Sequence, residues 1–288
     1  MTFRNFSCIA LLSLFASFAL AHSQTVHISE GGANSCADIH VSFDGEPAAM
    51  AEESLTIPGN VPLNVEPGQN GGVFASGYDG SQFQVSACKM ARSQADLTGL
   101  RAQYAGDQLT ASGTESDRSI VYFIVKAPRS ASISIKTHNG PVSVTGLAGN
   151  VQVHTENGPI KIRKTSGDVQ AVAQNGPINF SGDTGHVQLH ATNGPVHLSL
   201  AGTHWNGVGV EASTDNGPLS LSVAADYNSG VEVRTDGHSP MTCEANLCSN
   251  VRDFSESERS LRIGNGQTVI SVSTHNGPVR IATSHDVL

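Results

Sequence analysis

Carboxylate pairs, histidine clusters, thiols and a lone indole are the side chains of this sequence that could do chemistry. Two carboxylates facing each other across a sugar linkage would cleave it, one as acid and the other as base or nucleophile. Between residues 138 and 200, however, the only acids are Glu156, Asp168 and Asp183. Twelve histidines invite a metal, which needs several ligands converging on one point. Trp205, the only tryptophan, stands beside His204 in a polar, Gly-containing stretch. An indole there is either a platform for a sugar ring or a cover for an exposed apolar edge, and the cover is the commoner use. Cys36, Cys88, Cys243 and Cys248 contain no Cys-x-x-Cys spacing, which speaks for disulfides and against zinc. Whether any of these groups meet depends on the elements that carry them.

Those elements are set by a repeat. Asn139-Gly140-Pro141, Asn157-Gly158-Pro159, Asn175-Gly176-Pro177 and Asn193-Gly194-Pro195 recur every 18 residues. Glycine also falls every nine residues, at Gly140, Gly149, Gly158, Gly167, Gly176, Gly185 and Gly194, and an apolar-x-apolar triplet follows each one. Alternation of period two means a short strand with one buried face, and the spaced glycines read as corners where φ can turn positive. Two strands and two corners then make one coil of 18 residues. A register this strict favours coils stacked in parallel over a string of hairpins. In such a stack Val142, Ile160, Ile178 and Val196 form one interior column, and Val151, Val169 and Val187 the opposite one. Coils would lie about 4.8 Å apart and the two sheets about 10 Å apart. Each Pro suits a strand start, because it has no N–H to give a ladder. The Asn amides are expected to hydrogen-bond along the axis, and Gln152, Gln170 and Gln188 form a second, outward column.

In that register the chemistry thins out. Glu156, Asp168 and Asp183 do not align, and the outward positions Ser143, Lys161, Asn179 and His197 hold no paired acids. His154 and His190 share a column but lie two coils apart, about 9.6 Å, too far to share one ion. A calcium roll needs Asp in nearly every repeat, yet only Asp168 directly follows a corner Gly. No catalytic, cofactor or metal residue is therefore assigned. The residues singled out are the corners, including the later Asn216-Gly217-Pro218 and Asn276-Gly277-Pro278; the four cysteines, with local spacing suggesting Cys243 with Cys248 and Cys36 with Cys88; and Trp205 as a candidate ligand contact.

The rest of the chain frames this stack. Residues 1–21 read as an export signal, with Arg4 before an apolar run and Ala19-Leu20-Ala21 at a cleavage site. Nothing later is apolar enough over a long enough stretch to be a transmembrane helix. The net charge is -9, and losing Arg4 deepens it by one, so nucleic acid is a poor partner. Residues 22–129 read as an irregular N-terminal β region and cap, with a degenerate corner at Asn70-Gly71-Gly72-Val73. Met90, Leu97, Leu100 and Tyr104 fall on one face of an amphipathic helix. Residues 130–288 carry the solenoid repeats, with a swollen corner at 202–207, a decayed one at Asp236-Gly237 and an insertion over 236–266. The fold expected is all-β, a parallel β-solenoid of two short strands per coil, capped at its N-terminal end and right-handed by the rule for parallel crossovers.

Asn-Gly-Pro-apolar-x-apolar, Ala87-Cys88-Lys89-Met90-Ala91, Ala127-Pro128-Arg129 and Ile263-Gly264-Asn265-Gly266 together resemble the bacterial β-strand-repeat family labelled "putative adhesin". The resemblance implies a secreted or cell-envelope β-solenoid and brings no catalytic residues with it. The expectation is a non-enzymatic surface-binding or structural module whose partner is a glycan or a protein. Two alternatives stand beside it: a glycan-processing right-handed β-helix enzyme, and a scaffold that self-associates through its open ends.

Overall fold

The Val- and Ile-rich triplets can bury only alternate side chains, so each becomes a strand with one face against a core and one in solvent. In the computed structural model, residues 24–28, 32–114, 118–236, 239–255 and 259–284 are described. The export signal read in residues 1–21, and Gly237 of the decayed corner, lie outside the described residues. The chain is all-β, with mostly parallel strands in two long sheets and a three-stranded sheet beside them. Sheet I has eleven strands among the described residues, including Val142–Thr145, Ile160–Arg163, Ile178–Gly182, Val196–Leu200 and Leu219–Val223 in lateral order. Sheet II has twelve, including Ile133–Asn139, Val151–Asn157, Asp168–Asn175, His186–Asn193 and Gly209–Asn216. Consecutive strands therefore alternate between the sheets.

Register follows the repeat. In sheet I, Val142 pairs with Ile160, Ile160 with Ile178, Ile178 with Val196 and Val196 with Leu219. In sheet II, Val151 pairs with Val169, Val169 with Val187 and Val187 with Val210. Both columns are buried and belong to one hydrophobic cluster that runs the length of the stack, from Ile57 to Ile281. A one-residue slip anywhere would turn a whole column out to water, so the core fixes the register.

The stack is interleaved at both ends. Thr268–Asn276 and Val279–Thr283, the last strands, slot between strands that precede them in the chain. Ile270 pairs with Val210 on one side and Val231 on the other, and Val279 with Leu219 and Met241. At the other end the early strands Leu63–Glu66 and Val73–Tyr78 are enclosed by later ones. Leu63 pairs with Ile133 while Val65 pairs with Leu109, and Val73 lies between Val142 and Phe123. The stack thus reaches back to Leu63, well before residue 130, where the repeat first becomes regular. Antiparallel strands close each end: Gln82–Ala91 with Ala49–Pro58 at one, Ser260–Ile263 with Val251–Ser255 at the other.

The helix expected across Met90 to Tyr104 is replaced by strand and turn. Met90 lies in the strand Gln82–Ala91 and Tyr104 in Arg101–Ala105, with only the four-residue helix Gln94–Leu97 between them. Gly99 and the β-pairing partners on either side outweigh a helical spacing of four apolar residues. Outside sheet I, the strands Gln24–Ile28, Ile39–Phe43 and Glu46–Pro47 form the small sheet. It covers a second core containing Phe74, Tyr122, Met90 and Ile39.

Candidate functional site

Each corner is built from two stacked contacts. The Asn side chains form a one-directional chain of amides in which Asn139 donates Nδ2–H to Asn70 Oδ1 at 3.2 Å and Asn157 to Asn139 at 2.9 Å. Asn175, Asn193, Asn216 and Asn276 continue it at 3.0, 3.0, 3.1 and 3.0 Å. Backbone bonds run alongside: the Gly140 N–H donates to Asn157 O at 2.9 Å and the Gly176 N–H to Asn193 O at 3.2 Å. Pro141, Pro159, Pro177, Pro195, Pro218 and Pro278 follow these corners. Pro159 O accepts from Val142 N–H and Pro177 O from Ile160 N–H, both at 2.9 Å, so the proline carbonyl serves the ladder where an N–H is not needed.

At most corners the glycine's role differs from the one read in the sequence, although Gly185 does turn positive, at φ 111°. Gly140, Gly176, Gly194, Gly217 and Gly277 do not have positive φ. What forbids a side chain is the next coil: a Cβ on Gly176 would sit 2.2 Å from Gly158 O, and one on Gly194 2.2 Å from Gly176 O. Glycine is required here by backbone approaching backbone, not by the left-handed region.

Trp205 takes the commoner of the two roles expected of it, that of a cover, and not that of a ligand contact. Its side chain is 5% exposed, its ring lies 6.3 Å from that of Phe180, and its indole N–H donates to Gly185 O at 3.1 Å. Its backbone N–H donates to Ser229 Oγ at 2.9 Å. With no face open to a sugar, the indole closes the edge of the swollen corner and is not a ligand contact. The large apolar side chain left exposed beside that corner is Val208, at 77%. Cys36 is joined to Cys88 and Cys243 to Cys248. The first bond ties the small outer sheet to sheet I through the buried Cys88, and the second lies in the end segment beyond Met241–Cys243.

The titratable groups pair between neighbouring strands of sheet II. His138 meets Glu156 at 2.5 Å, His275 meets Asp236 at 2.8 Å and His190 lies 3.7 Å from Asp215. Among the described residues no three His, Cys, Asp or Glu side chains converge as a metal site would require. Ser213, His190 and Asp215 have the composition of an acyl-transfer triad, with Ser213 Oγ 2.9 Å from His190 Nδ1. The acid, however, lies 3.7 Å from Nε2, beyond hydrogen-bond reach. The same Ser–His contact recurs on sheet I, where His197 Nδ1 is 2.6 Å from Ser220 Oγ. Both follow from the register of adjacent strands.

What the outward surface does offer is a polar groove of about 320 Å³ on sheet II. Asn64, Ser134, Gln152 and Gln170 form one row across adjacent strands, and Glu66, Lys136 and His154 are prominent in the next. The amides offer donors and acceptors together, and Glu66 and Lys136 place opposite charges in one trough. The Gln column was visible in the sequence. Asn64 and Glu66 were not, because their strand joins the stack from outside the regular repeat. The signal was the Leu63-x-Val65 alternation, which pairs with Ile133-x-Ile135.

Several solved structures are similar in outline. A "putative cell adhesion protein" from Clostridium sporogenes is 11% identical with TM-score 0.33, the match covering 82% of this chain and 100% of that one. A "putative adhesin" from Bacteroides fragilis is 11% identical with TM-score 0.36, covering 82% and 97%. A "putative lipid binding protein" from Parabacteroides distasonis is 10% identical with TM-score 0.31, covering 81% and 96%. No curated protein matches. Residues 56–240 match the family described as Toastrack DUF4097, a span that takes in the early strands, the regular repeats and the swollen corner. The chain is a member of the Toastrack DUF4097 family.

Proposed function

We propose that this protein is an exported, non-enzymatic β-solenoid whose outward faces bind a surface ligand, in the manner of an adhesin. The observation that carries the reading is the groove on sheet II, where the polar row Asn64, Ser134, Gln152 and Gln170 runs beside Glu66, Lys136 and His154. A ladder of this kind presents the same group about every 4.8 Å, which suits an extended ligand with its own repeat and many weak polar contacts. Two disulfides support residence in an oxidising compartment. In this reading residues 1–21 are the export signal, and residues 22–129 form an N-terminal β region and cap whose strands Leu63–Glu66 and Val73–Tyr78 already belong to the stack. The later residues form right-handed coils of 18 residues, interrupted over 236–266.

The test is binding of the protein lacking residues 1–21 to an array of bacterial and plant glycans, with released products followed by mass spectrometry in the same wells. Retention without product, weakened by Gln152→Ala with Gln170→Ala, is the expected result. Shortened or unsaturated glycans would overturn the non-enzymatic reading. No binding, together with a mass that grows with concentration, would replace it by self-assembly through the end strands.

A further inference from the structure

An asparagine followed by glycine carries a reaction of its own. The glycine nitrogen attacks the asparagine side-chain carbonyl carbon, a C–N bond forms, and ammonia leaves from that carbon. One water then opens the succinimide ring, giving aspartate or isoaspartate. Glycine permits the ring because it has no side chain in the way. The chain carries Asn-Gly at Asn70, Asn139, Asn157, Asn175, Asn193, Asn206, Asn216, Asn265 and Asn276, so the question is which of these steps the fold leaves able to react.

The attack needs the glycine N–H free to lose its proton and the asparagine side chain free to swing over it. In the ladder both are held. The N–H groups of Gly71, Gly140, Gly158, Gly176, Gly194 and Gly217 donate to the backbone carbonyls of Asn139, Asn157, Asn175, Asn193, Asn216 and Asn276, at 2.9 to 3.2 Å. Gly277 N–H donates to Ser239 Oγ at 3.3 Å and Gly266 N–H to Asn228 O at 2.9 Å. The ladder's side-chain amides are bonded to one another as described. Gly207 is the exception: among the described residues no acceptor receives its N–H. Asn206 is exposed, beside the 77% exposed Val208. Its own backbone holds the loop through its N–H to Asp183 O at 2.9 Å and its carbonyl from Thr184 Oγ1 at 2.9 Å.

We propose that Asn206 is a spontaneous deamidation site and that the repeat protects the asparagines of its own corners from the same reaction. Conversion adds a carboxylate, and in the isoaspartate form an extra backbone methylene, next to the residue that seals the swollen corner. The two hydrogen bonds of Trp205, to Ser229 Oγ and Gly185 O, tie that loop to the stack.

The folded full-length protein, held in a mildly alkaline buffer at growth temperature, is sampled over time and digested. Peptides are assigned by mass spectrometry, and isoaspartate is scored by enzymatic methylation. Asp and isoaspartate are expected at position 206 at least about tenfold faster than at Asn139, Asn157, Asn175 or Asn193, because those rungs must open locally before they react. In a urea-unfolded control the difference should collapse. Asn206→Gln should remove the early product and leave the ladder peptides unchanged. Equal rates at the rungs and at Asn206 in the folded protein would overturn the proposal. So would an Asn206 that stays intact when folded yet converts when unfolded.

Discussion

Replacing Gly176 by alanine isolates what the corners require. The added Cβ would lie 2.2 Å from Gly158 O, about 1 Å inside the closest approach such atoms make, so a step of about 4.8 Å must widen locally. The Gly158 N–H to Asn175 O bond, at 3.2 Å, spans that step and would be stretched past useful length. One bond at about 1 kcal/mol, with about 1–3 kcal/mol for overpacking, gives a loss of about 2–4 kcal/mol. Asn175→Ala removes two side-chain bonds of 3.0 Å each, but water can replace exposed amides, so it should cost only about 1–2 kcal/mol. Urea titration followed by circular dichroism would measure both, and hydrogen exchange would show whether the opening stays near the 176 corner. If glycine served only as a flexible turn, alanine at this non-left-handed position would be neutral or stabilising by up to about 1 kcal/mol. Gly176→Ala within about 1 kcal/mol of wild type, or less harmful than Asn175→Ala, would refute the close-stacking argument.

Three further outcomes follow from the same geometry. The Thr165 hydroxyl is buried with no partner among the described residues, so Thr165→Val should raise stability by about 1 kcal/mol in the same titration. Removing the Cys36–Cys88 bond, which spans 52 residues, with paired serines should cost about 2–4 kcal/mol. It should also increase hydrogen exchange in Gln24–Ile28 and Ile39–Phe43 before it does so in the main stack. Burial pushes the Tyr227 phenol up to about 12, with Ser229 opposing the shift. The unfolded phenol ionises first, so the stability held below about pH 10 should fall as pH rises towards 12. Tyr227→Phe should flatten that part of the curve.

The regular stack was legible because Val142, Ile160 and Ile178 each had to bury a side chain at a fixed interval, and one interval satisfied both columns. The Asn ladder was legible for the same reason, since identical amides in register have few other partners. The reason for the glycines was not, because a clash with the coil below exists only once the coils are stacked. Met90 and Tyr104 mimicked a helix because apolar residues of two strands and a turn can fall at helical intervals by chance, and only their partners Ile120 and Leu109 decide the matter. Trp205 left two uses open because loops are usually wet, and the cover prevails because the swollen corner sets the indole against Phe180. The order of the final strands could not be read at all. Val231 and Ile270 are equally good neighbours for Val210 by pattern, and the choice depends on how the 224–229 connection crosses the stack.

That choice makes closure of the stack depend on a segment that comes late in the chain. As residues emerge from synthesis, Gly209–Asn216 and Leu219–Val223 can fold at once, but the place beside them belongs to Thr268–Thr283. Residues 230–243 must wait for the tail, or dock in the wrong slot and be displaced when it arrives. A chain broken before Thr268 would leave two sticky sheet edges and an open apolar interior, a species that proteases and chaperones recognise readily. The segment 268–283 is therefore a keystone, because the strands on either side of it have no neighbour in register on that edge without it.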